Sequence, residues 1–75
     1  MRDLVEFVAK ALVDHPESVT VTQIDQPDSV TIELRVAPED MGKVIGRQGR
    51  IAKAIRTIVK AVTIKDEKPY FVEII

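Results

Sequence analysis

The sequence contains no cysteine and no tryptophan, and it has a single histidine, His15. Without cysteine there is no disulfide framework, no thiolate metal site and no cysteine nucleophile. One histidine is too few for a histidine metal site or for a Ser/His/Asp triad. We therefore predict that the protein is not an enzyme and that it uses no metal or other cofactor.

Long apolar runs are also missing from the 75 residues. No stretch approaches the roughly 18 apolar residues that a membrane-spanning helix needs, and no cleavable apolar segment follows the N-terminus. Apolar residues make up 45% of the chain and charged residues 31%, which is typical of a folded globular domain. We expect one domain over residues 1–75, a cytoplasmic location and no membrane partner.

Acidic residues are absent from one part of the chain only. The stretch from Met41 to Lys60 has no Asp or Glu and six basic residues, which are Lys43, Arg47, Arg50, Lys53, Arg56 and Lys60. The remaining residues carry five basic and twelve acidic side chains. The whole chain therefore has eleven basic and twelve acidic side chains and a formal net charge of −1. This segregation indicates a local basic surface that the net charge of the chain conceals.

The first half of the chain predicts a helix followed by a β-hairpin. A helix over residues 3–14 would pack through Leu4, Val8, Ala11 and Leu12, with Val5 and Phe7 beside this stripe. Pro16 ends the helix at or before His15. Alternating patterns at 19–24 and 30–36 predict two antiparallel strands, joined by a turn at 26–29. Ile24 is out of phase with Val19 and Val21, which suggests a bulge or an early strand end.

The second half predicts two helices and a last strand. Pro38 begins a helix that ends at Gly46, where we expect a left-handed backbone. A further helix over 50–62 would pack through Ile51, Ile55, Ile58 and Val62, and Tyr70–Ile75 forms a strand. Because a helical crossover joins them, the second and third strands should be parallel. The sequence thus predicts a two-layer α+β domain of order α-β-β-α-α-β, with strand 30–36 central in a mixed three-stranded sheet and all helices on one face.

All three glycines lie within residues 42–49. Their spacing fits neither a Walker loop nor the dinucleotide-binding fingerprint, and what remains is G-x-x-G, from Gly46 to Gly49, between two helices. The second helix directs its N-terminus at this loop, so free N–H groups and a positive dipole end converge there. Glycines let a phosphate come close, and Arg47 and Arg50 add charge. The pattern indicates a phosphate-binding loop, although a simple corner between helices also fits it.

The run from Val44 to Ala52 resembles the signature of KH domains, in which a G-x-x-G loop clamps about four nucleotides. The predicted order of elements resembles the type II KH arrangement over the whole chain. The segments 4–7, 11–16 and 35–43 are similar to the bacterial KhpA family of small stand-alone KH proteins. This resemblance implies that the chain binds single-stranded RNA, through Gly46, Arg47, Gln48, Gly49, Lys43, Arg50, Ile45 and Lys53. Arg56 and Lys60 lie two to three turns from the loop, and we interpret them as a solvated face.

The resemblance also implies partners and a role in the cell. Proteins of this family form homodimers, pair with a larger RNA-binding protein, KhpB, and are linked to RNA chaperone activity, cell-wall homeostasis and cell shape. Two other functions remain open. The basic helix could dock an acidic protein partner, or residues 50–60 could enter a DNA major groove as a helix-turn-helix. The G-x-x-G loop argues against the former, and the predicted hairpin and last strand argue against the latter.

The last strand is apolar on both sides apart from Glu73. Phe71 and Ile75 share the side of Glu73. If that side faces away from the helices, two large apolar residues are exposed on an edge strand, a position that commonly needs a partner or a cover. Packing against outer residues of the second strand is the alternative explanation.

Overall fold

The computed structural model describes residues 1–46 and 49–75. Its elements follow the predicted order α-β-β-α-α-β: α1 Arg2–Leu12, β1 Thr20–Asp25, β2 Val30–Arg35, α2 Pro38–Ile45, α3 Arg50–Val62 and β3 Tyr70–Ile74. A 3-10 helix at Pro16–Ser18, which the sequence did not indicate, lies between α1 and β1. Within the described ranges no helix has the length and apolar character needed to cross a membrane.

The three strands form one mixed sheet with β2 in the centre, as predicted. β1 and β2 are antiparallel, with Val21 opposite Leu34, and β2 and β3 are parallel, with Ile32 opposite Val72. The expected bulge or early end at Ile24 is wrong, because the β1–β2 register continues without interruption to Asp25. Ile24 is out of phase because its side chain lies on the face away from the helices, where it is 38% exposed.

The two faces of the sheet differ in burial. The face toward the helices carries buried aliphatic residues, namely Val21, Val30, Ile32, Leu34 and Val72. The opposite face, called the open face below, carries Thr20, Thr22, Ile24, Thr31, Glu33, Arg35, Phe71, Glu73 and Ile75. This alternation is that of a sheet covered on one side, so the predicted two-layer α+β arrangement is confirmed.

The side of α1 that packs against the core differs from the predicted one. Val5 and Ala9 are buried to 1% exposure, whereas Phe7 is 73% exposed and Leu12 38%. Apolar residues cover more than half the circumference of α1, so periodicity alone could not select one side. Small Ala9 on the buried side is compatible with close packing of the helix against the rest of the domain.

α3 buries a stripe that is shifted by one residue from the predicted one. Ile55 is buried as expected, but its companions in the core are Ala52 and Val59. Val62, expected to pack, is 54% exposed. The predicted members Ile51 and Ile58 are half-buried at the edge of this stripe. The basic residues of α3 consequently remain on its outer surface.

Ion pairs follow the outer surface of α1. The Glu6 carboxylate forms ion pairs with one residue before it and one after it in the helix. Lys10 Nζ lies 2.9 Å from Glu6 Oε1, and Arg2 Nη1 lies 3.1 Å from Glu6 Oε2. The hydrogen bond and charge of Lys10 lower the pKa of Glu6, with a smaller contribution from Arg2. Exposed pairs four residues apart contribute only about 0.3–0.5 kcal/mol each, so they support α1 without determining its position.

Candidate nucleic-acid interface

The turn between α2 and α3 begins at Gly46, and its backbone is extended, with φ −75° and ψ −178°. The expectation of a left-handed residue at this position is therefore wrong. The N–H of Gly46 donates to the carbonyl oxygen of Gly42 at 2.7 Å, and a Cβ at Gly46 would collide with that same oxygen. Glycine is required at this position because there is no space for a Cβ atom. The backbone conformation is not the reason, since any residue can adopt this φ.

The left-handed residue of this turn is Gly49, with φ 63° and ψ 34°. Its N–H donates to the carbonyl oxygen of Gly46 at 2.9 Å, which closes the turn directly before α3. A residue with a side chain would lose about 1–2 kcal/mol in this conformation. The two glycines of the G-x-x-G motif thus fix the two ends of the loop for different physical reasons. Arg47 and Gln48, both predicted to contact RNA, lie outside the described residues.

The N-terminus of α3 faces this turn with unused hydrogen-bond donors. The helix begins at Arg50, and its first turn carries no acidic residue. Its N-cap residue is Gly49, which has no side chain that could accept a hydrogen bond from the first N–H groups. The first N–H groups of a helix have no partner within the helix, and the helix dipole places partial positive charge there. This end of α3 therefore provides several donors and positive potential beside Gly49, where an added Cβ would meet no atom within 4 Å and an anion has room.

Four predicted residues flank the turn. Arg50 and Lys53 are exposed on α3, and neither has an ion-pair partner within residues 1–46 and 49–75. Lys43 differs, because its Nζ lies 3.1 Å from Asp14 Oδ1 in an exposed pair. Such pairs contribute no more than about 1 kcal/mol, so Lys43 can turn toward a phosphate at small cost. Ile45, in the last position of α2, is 53% exposed and offers an apolar surface beside the loop.

A groove of about 800 Å³ lies along α3, the segment 63–69 and the free edge of β3. On the helix side it is lined by Arg56, Val59 and Lys60. The segment 63–69 and β3 contribute the acidic residues Asp66, Glu67 and Glu73 and the aromatic residues Tyr70 and Phe71, among others. Arg56 and Lys60 are exposed, as predicted, but they also line this groove, which the sequence did not reveal. A usable signal was their position relative to Val59, because Arg56 and Lys60 both lie on the same flank of α3, about 60° and 100° around the helix from the residue that faces the core.

Asp40 is a second feature that the sequence did not reveal. Its place in the first turn of α2 suggests only a favourable interaction with the helix dipole, but its carboxylate is buried, with 1% exposure. It accepts hydrogen bonds from the backbone N–H groups of Asp14, at 3.2 Å, and His15, at 3.0 Å. This contact links the chain after α1 to the first turn of α2. It therefore fixes the direction of α2, whose other end carries Gly46.

The family model for the KH domain of KhpA/KhpB matches residues 2–74. The chain is 61% identical over 75 residues to proteins named RNA-binding protein KhpA from Clostridium perfringens and from Caldanaerobacter subterraneus subsp. tengcongensis, with each chain covered completely. It is 51% identical to the protein of that name from Aquifex aeolicus, covering all of this chain and 95% of the other. No solved structure matches significantly.

The family match extends over nearly the whole chain, and the relatives cover it from end to end. The fold has the element order that the resemblance implied, and two glycines with specific structural requirements stand at the positions of the G-x-x-G motif. The chain therefore belongs to the KhpA/KhpB family of KH domains.

Proposed function

We propose that this chain is a single-stranded RNA-binding protein in which residues 1–75 act as one KH domain and the Gly46–Gly49 loop clamps the phosphate backbone. The observation that carries the proposal is the uncapped N-terminus of α3 beside Gly49, where an added Cβ would meet no atom within 4 Å and an anion can approach. The acid-free basic stretch around the loop favours the same ligand. The relatives' name, RNA-binding protein, supports RNA as the polyanion.

The proposed contacts divide into charge and apolar surface. Phosphates would bind the backbone N–H groups of the loop and of the start of α3, while the basic side chains Lys43, Arg47, Arg50 and Lys53 neutralise charge. Bases would lie over Ile45, whose exposed side chain offers an apolar surface beside the loop. Gln48 would add a polar contact. None of the three aromatic residues belongs to the loop, so stacking contributes little at the clamp.

A clamp of this size should bind weakly and with loose sequence preference. About three to four basic contacts provide modest electrostatic affinity, and avidity rises steeply when two modules are joined. We infer that the protein works as a homodimer, or together with a larger RNA-binding protein such as KhpB, as the family resemblance implies. The same resemblance supports a role as an RNA chaperone or post-transcriptional regulator in cell-wall homeostasis and cell shape.

The exposed apolar surface of α1 is suited to bind a second copy of the protein. Apolar residues form a stripe beside the buried side of α1, called the outer stripe below, which consists of Leu4, Phe7, Ala11 and Leu12, while half-buried Val8 packs against the core. If two α1 helices pair antiparallel around Phe7, Asp3 of one copy lies beside Lys10 of the other, and the reverse. Two copies would thus bury apolar residues of both outer stripes, with opposite charges facing each other beside them. This arrangement would give the two-fold symmetry that is most common in homodimers.

Salt dependence of binding tests the clamp. Affinity of a labelled single-stranded RNA, measured by fluorescence anisotropy, should fall with salt at a log–log slope of roughly −2 to −3, from about −0.7 for each of three to four neutralised phosphates. Duplex DNA of equal length should bind more weakly at every salt concentration. Tighter binding of duplex DNA would instead favour the helix-turn-helix alternative, and no binding of either would favour an acidic protein partner.

A charge reversal in the loop tests the assigned residues. Arg47→Asp with Gln48→Asp should abolish RNA binding, because the new carboxylates repel phosphate, and should leave the circular dichroism spectrum unchanged. Lys65→Asp with Gln26→Asp is a matched control that makes the same change of net charge in exposed segments outside the loop. It should retain most of the affinity. Equal loss of affinity in both variants, or retention by the loop variant, would contradict the clamp.

A further inference from the structure

The open face of the sheet carries large apolar side chains without a cover among the described residues. Phe71 is 53% exposed and Ile75 47%, and both lie on the side of β3 that carries Glu73. β3 is an edge strand. Ile24, 38% exposed, lies in the same cross-strand row as Phe71, because both are opposite Thr31 in the register of the sheet. Apolar exposure of this kind on one face marks a surface that binds another molecule.

Two carboxylates lie between these apolar residues. Glu33 and Glu73 are opposite one another in the parallel register of β2 and β3, and neighbouring strands are about 4.8 Å apart. Like charges directly opposite each other destabilise a sheet. In the described part of the chain neither carboxylate takes part in an ion pair, and neither does Arg35 on the same face. A cation placed over Glu33 and Glu73 would therefore be stabilised by both.

The spacing of these groups matches the rise of an α-helix. Phe71, Glu73 and Ile75 follow at intervals of two residues, so Phe71 and Ile75 are about 13 Å apart, with the carboxylates halfway. On a helix, residues i and i+8 are about 12 Å apart, and residue i+4 lies between them on the same side. One helical stripe can thus place apolar side chains on Phe71 and Ile75 and a basic side chain on Glu33 and Glu73.

We propose that the open face docks an amphipathic helix of another protein in which an Arg or Lys stands four residues from an apolar residue on either side. The basic side chain binds Glu33 and Glu73, and the apolar ones pack on Phe71 and Ile75. RNA does not fit this face, because the two carboxylates repel phosphate. A second copy related by a two-fold axis through Glu33 and Glu73 would bring four carboxylates together, so charge favours a partner with a basic residue. The site is separate from the α2–α3 turn and lies on the other side of the sheet from the helices, and its edge residues Phe71 and Glu73 also line the groove between α3 and β3.

A peptide titration followed by NMR tests this proposal. The probe is a synthetic 15-residue helical peptide of Ala and Gln with Leu, Arg and Leu at i, i+4 and i+8, and the control peptide has Glu in place of Arg. With ¹⁵N-labelled protein, the Arg peptide should shift the amide signals of residues 31–35 and 71–75. It should bind about tenfold more tightly than the Glu peptide, since one charge changes from attraction to repulsion.

Matched variants locate the charge effect. Glu33→Gln with Glu73→Gln should weaken binding of the Arg peptide about fivefold and leave RNA affinity unchanged. Glu17→Gln with Glu39→Gln removes the same charge from exposed sites outside the sheet and should leave both affinities unchanged. Absence of shifts on the open face, equal affinity of the two peptides, or equal weakening by both variants overturns the proposal. It is also overturned if RNA, or a higher protein concentration without peptide, shifts the same signals.

Discussion

The three glycines occupy three different environments, so the same substitution by alanine should have three different outcomes. Gly42 lies inside α2, where an added Cβ meets no atom within 4 Å. Alanine loses less backbone entropy on folding than glycine, so Gly42→Ala should stabilise the protein by about 0.5–1 kcal/mol. For a domain of this size, that corresponds to a rise of the melting temperature by roughly 2–8 °C.

The other two substitutions should destabilise the protein. At Gly49 the left-handed φ of 63° costs alanine about 1–2 kcal/mol, or roughly 4–16 °C in melting temperature. At Gly46 the new Cβ collides with the carbonyl oxygen of Gly42, a backbone atom that cannot rotate away. Steric overpacking of this kind costs about 1–3 kcal/mol, and relief requires the end of α2 to move. We therefore expect Gly46→Ala to weaken RNA binding most and Gly42→Ala to leave it within about twofold.

Thermal unfolding followed by circular dichroism gives the stabilities, and fluorescence anisotropy at a temperature where all variants are folded gives the RNA affinities. Gly42→Ala is the internal control, because it introduces the same methyl group four residues before Gly46. If Gly42→Ala destabilises the protein as much as Gly46→Ala does, the geometry assigned to the turn is wrong. If Gly46→Ala and Gly49→Ala bind RNA as well as the original protein, the turn does not form the clamp.

Two further predictions concern packing and assembly. Asp40→Asn should destabilise the protein by about 1–3 kcal/mol in urea unfolding, because the amide oxygen can accept only one of the two backbone N–H groups and the new NH₂ group cannot accept the other. Asp14→Asn at an exposed position should cost less than about 0.5 kcal/mol, and equal costs would contradict a structural role for Asp40. Light scattering at tens of micromolar should show a dimer that Phe7→Ser dissociates and that Phe71→Ser with Ile75→Ser leaves intact. A monomeric original protein would refute self-association, and the opposite pattern of the variants would place the interface on the open face.

Local patterns were sufficient where the choice of structure depended on nearby residues. The two-residue period predicted β2, and Pro38 and Gly46 marked the limits of α2, because chain stereochemistry acts over a few residues. The predicted burial was less accurate. In α1 the apolar residues exceed what one contact can bury, so the exposed Phe7 and the buried Ala9 were not distinguished. The prediction at Ile24 was wrong for a related reason, since alternation alone does not show that an apolar residue can stand on an open face.

The candidate site could be predicted only in part. The G-x-x-G spacing and the acid-free basic stretch located the turn between α2 and α3, but they assigned the left-handed conformation to Gly46 when it belongs to Gly49. The groove along α3 and β3 could not be anticipated, since its two walls come from elements separated by the segment 63–69. The hydrogen bonds of buried Asp40 join it to Asp14, 26 positions away in the chain, and to His15, 25 positions away. No local sequence pattern encodes pairings over such distances.

The sequence by itself determined the order of elements, the two-layer α+β class, the parallel pairing of β2 with β3 and the position of the basic turn. These follow from periodicity, turn chemistry and the handedness of crossovers, which depend on short segments of the chain. Only the tertiary structure decided which side of α1 is buried, which partners Asp40 binds and that Glu33 and Glu73 stand opposite each other beside Phe71 and Ile75. These features depend on contacts between distant segments, where packing selects one arrangement among several that the local sequence permits.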